Sequence, residues 1–284
     1  MLRHPLLNEP YQPDLRSWIG GFIGYDMPPA LDAELSRYNP NDPDDREHLI
    51  LHYCLERFHA RENFRHRHQL VEVLQAALDD PDFDFQKVWE PMEDDDQWPA
   101  GWPAQIDDSR DFFQRLLQAA RQRWHDDLIR ARLPSLAQCR AIPARDRGSR
   151  DWLFSIDNPE AWKAIFDVAA TPYDLHTPGP RFHGEQLSVQ LAGPLPGQSL
   201  PSTWPASQML THCRLDLKIH GISELHASGT RFDGHMRTQL TRLKPGYYLR
   251  LEIGFDCVIE CVAQSVRIAN VQGSREEDRH EQQL

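Results

Sequence analysis

The chain has 284 residues, 40% hydrophobic and 26% charged, and a formal net charge of −12. That composition supports one large core or two ordinary ones and excludes a disordered chain. The negative charge argues against binding nucleic acid or an anionic membrane, since phosphate recognition needs clustered Lys and Arg, and no apolar run reaches the length of a bilayer span.

Residues 1–10 lack the apolar core and small-residue cleavage site of a secretory signal, so a cytoplasmic location is the expectation. The five cysteines (Cys54, Cys139, Cys213, Cys257 and Cys261) are an odd, sparse set. They read as reduced, buried thiols and not as a disulfide framework.

Residues 28–132 read as helical. Pro28-Pro29 suits a helix start, where a missing N–H costs nothing. Asp42-Pro43-Asp44-Asp45 offers a cap, an early proline and first-turn acids ahead of Leu49-Ile50-Leu51. Leu70, Val73, Leu74, Ala77 and Leu78 then form one stripe at helical period, which Asp79-Asp80-Pro81 ends. A last helix over 109–132, capped by Asp107-Asp108, puts Phe112, Phe113, Leu116, Leu117, Ala120, Trp124 and Leu128 on one side.

Histidines cluster early, at His48, His52, His59, His66 and His68. His48 and His52 have a helical spacing that can hold a metal, but Leu49 occupies the position where a zinc protease needs Glu. A packed or solvated histidine-rich helix is the expected reading, and no metal or other cofactor is expected.

Between Asp79 and Asp111 there are twelve acidic residues against Lys87 and Arg110 alone, a balance of −10. Asp79, Asp80, Asp82, Asp84, Glu93, Asp94, Asp95 and Asp96 are interleaved with Trp89, Trp98 and Trp102. Successive carboxylates diverge, so they do not by themselves assemble a catalytic metal site. A solvated loop is the bland reading. Exposed tryptophan beside unpaired carboxylates is also contact chemistry for a basic protein, and these residues are the candidate binding site.

Residues 134–150, with Pro134, Pro143, Gly148 and a run of arginines, read as a linker. Beyond them the period becomes 2. Leu187, Val189 and Leu191 alternate with polar residues, as do Cys213, Leu215, Leu217 and Ile219. Tyr247, Leu249, Leu251, Ile253 and Phe255 continue the pattern, and Cys257, Ile259 and Cys261 extend the same face. The apolar parity shifts near Val266 and Ile268, which predicts a bulge or turn at Gln264-Ser265. One short helix over 159–168 is expected to cover the sheet. On a strand, Cys257 and Cys261 stand about 13 Å apart, too far to share a metal or a bond. The predicted fold is α+β: an all-α helical domain over 1–133, the linker, a C-terminal antiparallel β-sheet domain with one short helix over 151–273, and a flexible tail over 274–284.

The C-terminal part resembles the immunity protein 50 family of bacterial polymorphic-toxin systems, on an ordered series of short pieces. Phe154-Ser155-Ile156-Asp157-Asn158-Pro159 comes first, then Leu200-Pro201-Ser202-Thr203-Trp204-Pro205, then Ile222-Ser223-Glu224-Leu225 ahead of Gly229. Cys257-Val258-Ile259-Glu260-Cys261-Val262-Ala263 and Arg267-Ile268-Ala269-Asn270-Val271 close it. The resemblance covers under half of the chain and leaves the helical half unplaced. It implies a cytoplasmic protein, not an enzyme, that binds and masks a cognate toxin. It carries no catalytic residues, so none is assigned.

Together with the acidity, this predicts an immunity protein that neutralises an antibacterial toxin, a basic nuclease (DNase) delivered by a type VI or contact-dependent system. Such a protein contacts its toxin, with no direct nucleic acid or membrane partner. The alternatives are an adaptor or chaperone that loads a secreted effector and a cryptic metal-dependent hydrolase.

Overall fold

The computed structural model describes residues 2–7, 9–22, 29–57, 59–90, 106–142, 155–163, 175–195, 204 and 210–274. The chain divides into two compact units, residues 1–131 and 132–284. Among the described residues no helix is long and apolar enough to cross a membrane.

The first unit is assembled from mostly short helices: α1 (Arg16–Ile19), α2 (Pro29–Leu35), α3 (Pro43–His48), α4 (Phe64–Asp79), α5 (Ser109–Arg123) and α6 (His125–Ala131). Local chemistry sets their ends. The Asp42 carboxylate accepts from the N–H groups of Asp44 and Asp45 at the start of α3. Asn63 and His66 form a reciprocal capping box on α4. Asp80 is extended ahead of Pro81 and stops α4. Asp108 caps α5 by accepting from Asp111 N–H. The single helix expected over 109–132 is broken at Trp124, whose φ of −105° and ψ of 20° leave the helical region.

Leu49–Arg57 continues from α3 as a π-helix. It turns Leu49, Ile50, Tyr53, Cys54 and Leu55 into the core. Gly21 packs against it so closely that a Cβ there would lie 2.7 Å from the Tyr53 carbonyl oxygen. This close approach gives a packing reason for glycine at position 21. Trp18 stacks on Trp124 at 5.5 Å in the centre of this core.

The second unit is a barrel. Its strands are β1 (Leu175–Thr177), β2 (Pro180–His183), β3 (Gln186–Pro194), β4 (His212–Ser228), β5 (Gly234–Arg242), β6 (Tyr247–Ile253) and β7 (Cys257–Ser274). Every pairing is antiparallel, in the order β1-β5-β6-β7-β4-β3-β2, and β1 also pairs with β3 through His176 and Ala192. That last pairing closes six strands on themselves and leaves β2 as a flap on β3.

The expected all-α domain followed by an open sheet with one short helix is therefore corrected. The first unit is a set of small helices with 3-10 and π turns and a β-bridge between Arg3 and Pro10. The sheet is a closed barrel. Alternation defines which face of a strand is buried, but not whether the sheet's two edges meet.

The inward residues fill the barrel with apolar side chains, among them Leu187, Leu215, Ile219, Leu249, Leu251, Ile259 and Cys261. All five cysteines are free and buried. The parity change near Val266 falls inside β7, opposite Gly221 at φ +62°, and β4 and β7 switch faces together. The register breaks lie to either side, at Ile222/Glu224 and Arg214/Asp216.

Two short helices accompany the barrel. α7 (Leu136–Arg140) lies in the segment expected as linker, and Leu136 and Cys139 pack on Tyr248 and Val262 of the outer wall. Residues 143–150 lie outside the described residues. α8 (Pro159–Lys163) is the start of the helix expected over 159–168, and residues 164–168 also lie outside. Just before α8, Asp157 and Asn158 complete the open edge of β7. Asp157 N–H donates to Val266 O at 2.9 Å, and its carboxylate accepts from Val266 N–H at 3.0 Å, Ser265 O–H at 2.7 Å and Tyr247 O–H. Asn158 exchanges two hydrogen bonds with the Ile268 backbone, both 2.9 Å. Ile156 is drawn into the barrel core by this pairing. An unpaired strand edge is thus closed by side chains imitating a backbone.

Candidate partner-binding site

The acidic segment begins at the end of α4. Asp79, Asp80, Asp82 and Asp84 are all exposed. Each of three carboxylates also has a local task. Asp79 accepts from the Gln75 amide, Asp80 from Asp82 N–H at 3.0 Å, and Asp84 from Gln86 N–H at 3.1 Å. The last two are turn and cap bonds, the usual reason for Asp at such positions, and the first joins side chains one turn apart on α4.

Arg110 fixes the shape of this turn. Its guanidinium donates to the carbonyls of Leu78 (3.1 Å), Asp80 (2.7 Å), Pro81 (3.3 Å) and Phe83 (3.3 Å), and lies 4.9 Å from the Phe85 ring centroid. A planar fork with five N–H groups suits a curved row of carbonyls. Four carboxylates are thereby presented on a fastened backbone. The nearby Lys87–Asp84 pair is 3.9 Å long and exposed at both ends, so it neutralises little.

Trp89 does not belong to that surface. It is 4% exposed and packs on Phe112 at 5.5 Å and Phe113 at 5.6 Å. Its assignment as a contact residue is corrected: it is core. The spacing of Phe85, Val88 and Trp89 carries that signal, since positions i, i+3 and i+4 share a face on a helical turn. Glu93, Asp94, Asp95, Asp96, Trp98 and Trp102 lie outside the described residues.

The histidines are dispersed into separate structural roles. His48 stacks on His52 (5.5 Å, 21°) and on Tyr38 (4.8 Å, 25°), so the two imidazoles meet face to face. His59 is fully buried edge-on to Trp18 and Trp124, with Nδ1 2.8 Å from the Glu62 carboxylate. His66 bonds the Arg3 carbonyl at 2.7 Å. His68 lies 3.8 Å from Glu72. Among the described residues no three His, Cys, Asp or Glu side chains gather as metal ligands.

On the barrel, sequence reasoning missed an ionic cluster. Glu260 is 4% exposed and accepts from Arg140 (3.0 and 2.5 Å), Arg250 (3.0 Å) and Tyr248 (2.6 Å). Burial alone would raise its pKa, but these donors bring it down to about 2. At the other end of α7, Leu136 N–H donates to Glu224 at 2.7 Å. Two acids of the barrel wall thus clamp the two ends of one short helix. This is anchoring chemistry: Arg140 and Leu136 N–H tie α7 to the wall, while Arg250 and Tyr248 hold Glu260 from β6.

Charge is divided unevenly between the units. Residues 132–284 contain equal numbers of basic and acidic residues, so the whole net charge of −12 lies in residues 1–131. No protein-family model, curated protein or solved structure matches the chain.

Proposed function

We propose that this protein binds and neutralises a cognate antibacterial toxin, and that the toxin is a basic, nucleic-acid-degrading enzyme. The observation that carries the reading is the charge partition, together with the fixed display of Asp79, Asp80, Asp82 and Asp84 on the Arg110-held turn. A nuclease groove must be basic to hold phosphate. An acidic face speeds encounter with such a groove, and close charge pairs then slow release. The motif resemblance of the C-terminal part to the immunity protein 50 family supports the same class, with a cytoplasmic site of action and a type VI or contact-dependent delivery route for the toxin.

The test is co-expression with the product of the reading frame immediately upstream. Neutralisation predicts that growth arrest by that product is relieved when this chain is present. Tight binding without relief would instead make the chain a loading adaptor. No binding would remove the reading.

A further inference from the structure

On one side of the barrel Lys218, Arg242, Lys244 and Arg267 carry charge that no carboxylate answers. Among the described residues none of them is in an ion pair, whereas Arg140, Arg231 and Arg250 all are. Acidic partners are not scarce in a chain with 43 acids to 31 bases. The placement is costly as well. Lys218 and Arg267 stand directly opposite one another on β4 and β7, where like charges destabilise a sheet. Lys218 is drawn toward β3 by donating to Ser188 Oγ at 2.7 Å, and Arg267 is left exposed.

A pocket of about 690 Å³ opens at the turn between β5 and β6, lined by Asp157, Arg242, Lys244, Gly246, Tyr247 and Gln264. Burial and Asp157 raise the Tyr247 pKa to about 12, and Arg242 and Arg267 both act against that rise, so both guanidiniums lie near its hydroxyl. The Arg242 guanidinium carbon is 5.9 Å from the Tyr247 ring centroid. The turn itself is fixed. Leu243 N–H donates to Gly246 O at 2.7 Å, and a Cβ on Gly246, at φ +86°, would meet Ala263 O at 2.6 Å. Among the described residues the one acid of the lining is Asp157, and its oxygens are committed to Val266 N–H, Ser265 O–H and Tyr247 O–H. It orders the wall without pairing with the cations. We propose that this pocket binds a small oxyanion, the phosphate group of inorganic phosphate or of a phosphorylated small molecule, held by Arg242, Lys244 and Arg267. Guanidinium forks match the edges of a phosphate, and a lysine adds a point charge. A bound dianion offsets the repulsion that these cations otherwise carry. The site does not rest on toxin neutralisation.

Titration of the isotopically labelled full chain with sodium phosphate, against sodium chloride at matched ionic strength, tests this through amide chemical shifts. The expected result is a saturable response at residues 242–247 and 264–267 with phosphate alone. Arg242→Gln and Arg267→Gln should each raise the dissociation constant by about tenfold, the loss of one charge-assisted contact. Arg237→Gln, which removes an unpaired cation elsewhere on β5, should leave it unchanged. Without phosphate, Arg267→Gln should melt no lower than wild type, because it removes a like-charge opposition. A nucleoside monophosphate that binds more tightly than inorganic phosphate makes a phosphorylated molecule the ligand, and equal affinity makes it the free ion. Shifts that grow without saturating, or that chloride reproduces, overturn the proposal. So does saturable binding that survives both Arg242→Gln and Arg267→Gln.

Discussion

Tyr248 donates its phenolic O–H to Glu260 at 2.6 Å, on the outer wall of the barrel where α7 packs. Burial and the neighbouring carboxylate push the tyrosine pKa up to about 12, while Glu260 is drawn down to about 2. The direction fixes the pH behaviour. A carboxylate depressed below its ordinary 4.5 stabilises the fold fully above that value, and the contribution fades as pH falls toward 2. Glu260→Gln should therefore cost about 2 kcal/mol at pH 7, and the gap to wild type should shrink by pH 3. Urea unfolding at the two pH values measures it. An equal gap at both would show that the charge is not the source.

Arg110→Lys preserves charge but cannot fork across four carbonyls. The expected outcome is faster hydrogen exchange at the amides of residues 80–86 and a loss of about 1–2 kcal/mol in stability. Exchange indistinguishable from wild type would mean that the turn holds itself.

Replacing Asp79, Asp80, Asp82 and Asp84 together by Asn separates charge from structure. Asn keeps the accepting oxygen of each turn or cap bond and removes four charges. Folding stability should change little. Association with the toxin at low salt should slow by about tenfold and lose much of its salt dependence. Replacing Asp94, Asp95 and Asp96 by Ala is expected to act in the same direction. Unaltered rate and salt slope in both variants would place the contact elsewhere.

Asp157→Ala removes the acceptor for Val266 N–H, Ser265 O–H and Tyr247 O–H at once. It should destabilise the chain by about 3 kcal/mol and reopen the β7 edge. The Tyr247 pKa, held at about 12 by burial first and Asp157 second, should fall without returning to 10. Calorimetry and an ultraviolet titration read the two effects separately.

Much of this molecule is written in periodicity. The inward faces of β3, β4, β6 and β7 follow directly from their period-2 apolar residues. β5 was hidden because its inward row, Met236, Thr238 and Leu240, has a polar residue at its centre. β1 has three residues and closes the barrel against β3 through one residue pair, which no local pattern encodes. Alternation also ran unbroken through Gly254-Phe255-Asp256, so Phe255 read as inward when it is the tip of a hairpin. At the candidate site the acids were legible as exposed and turn-forming. The role of Arg110 was not, because its four acceptors are backbone groups and leave no mark on residue type.

Cleavage of DNA by the toxin in the presence of increasing amounts of this chain tests the central claim most directly. Neutralisation predicts that cleavage falls to nothing at one equivalent, with the protection weakened as salt rises. Undiminished cleavage by a toxin already saturated with the chain would contradict it.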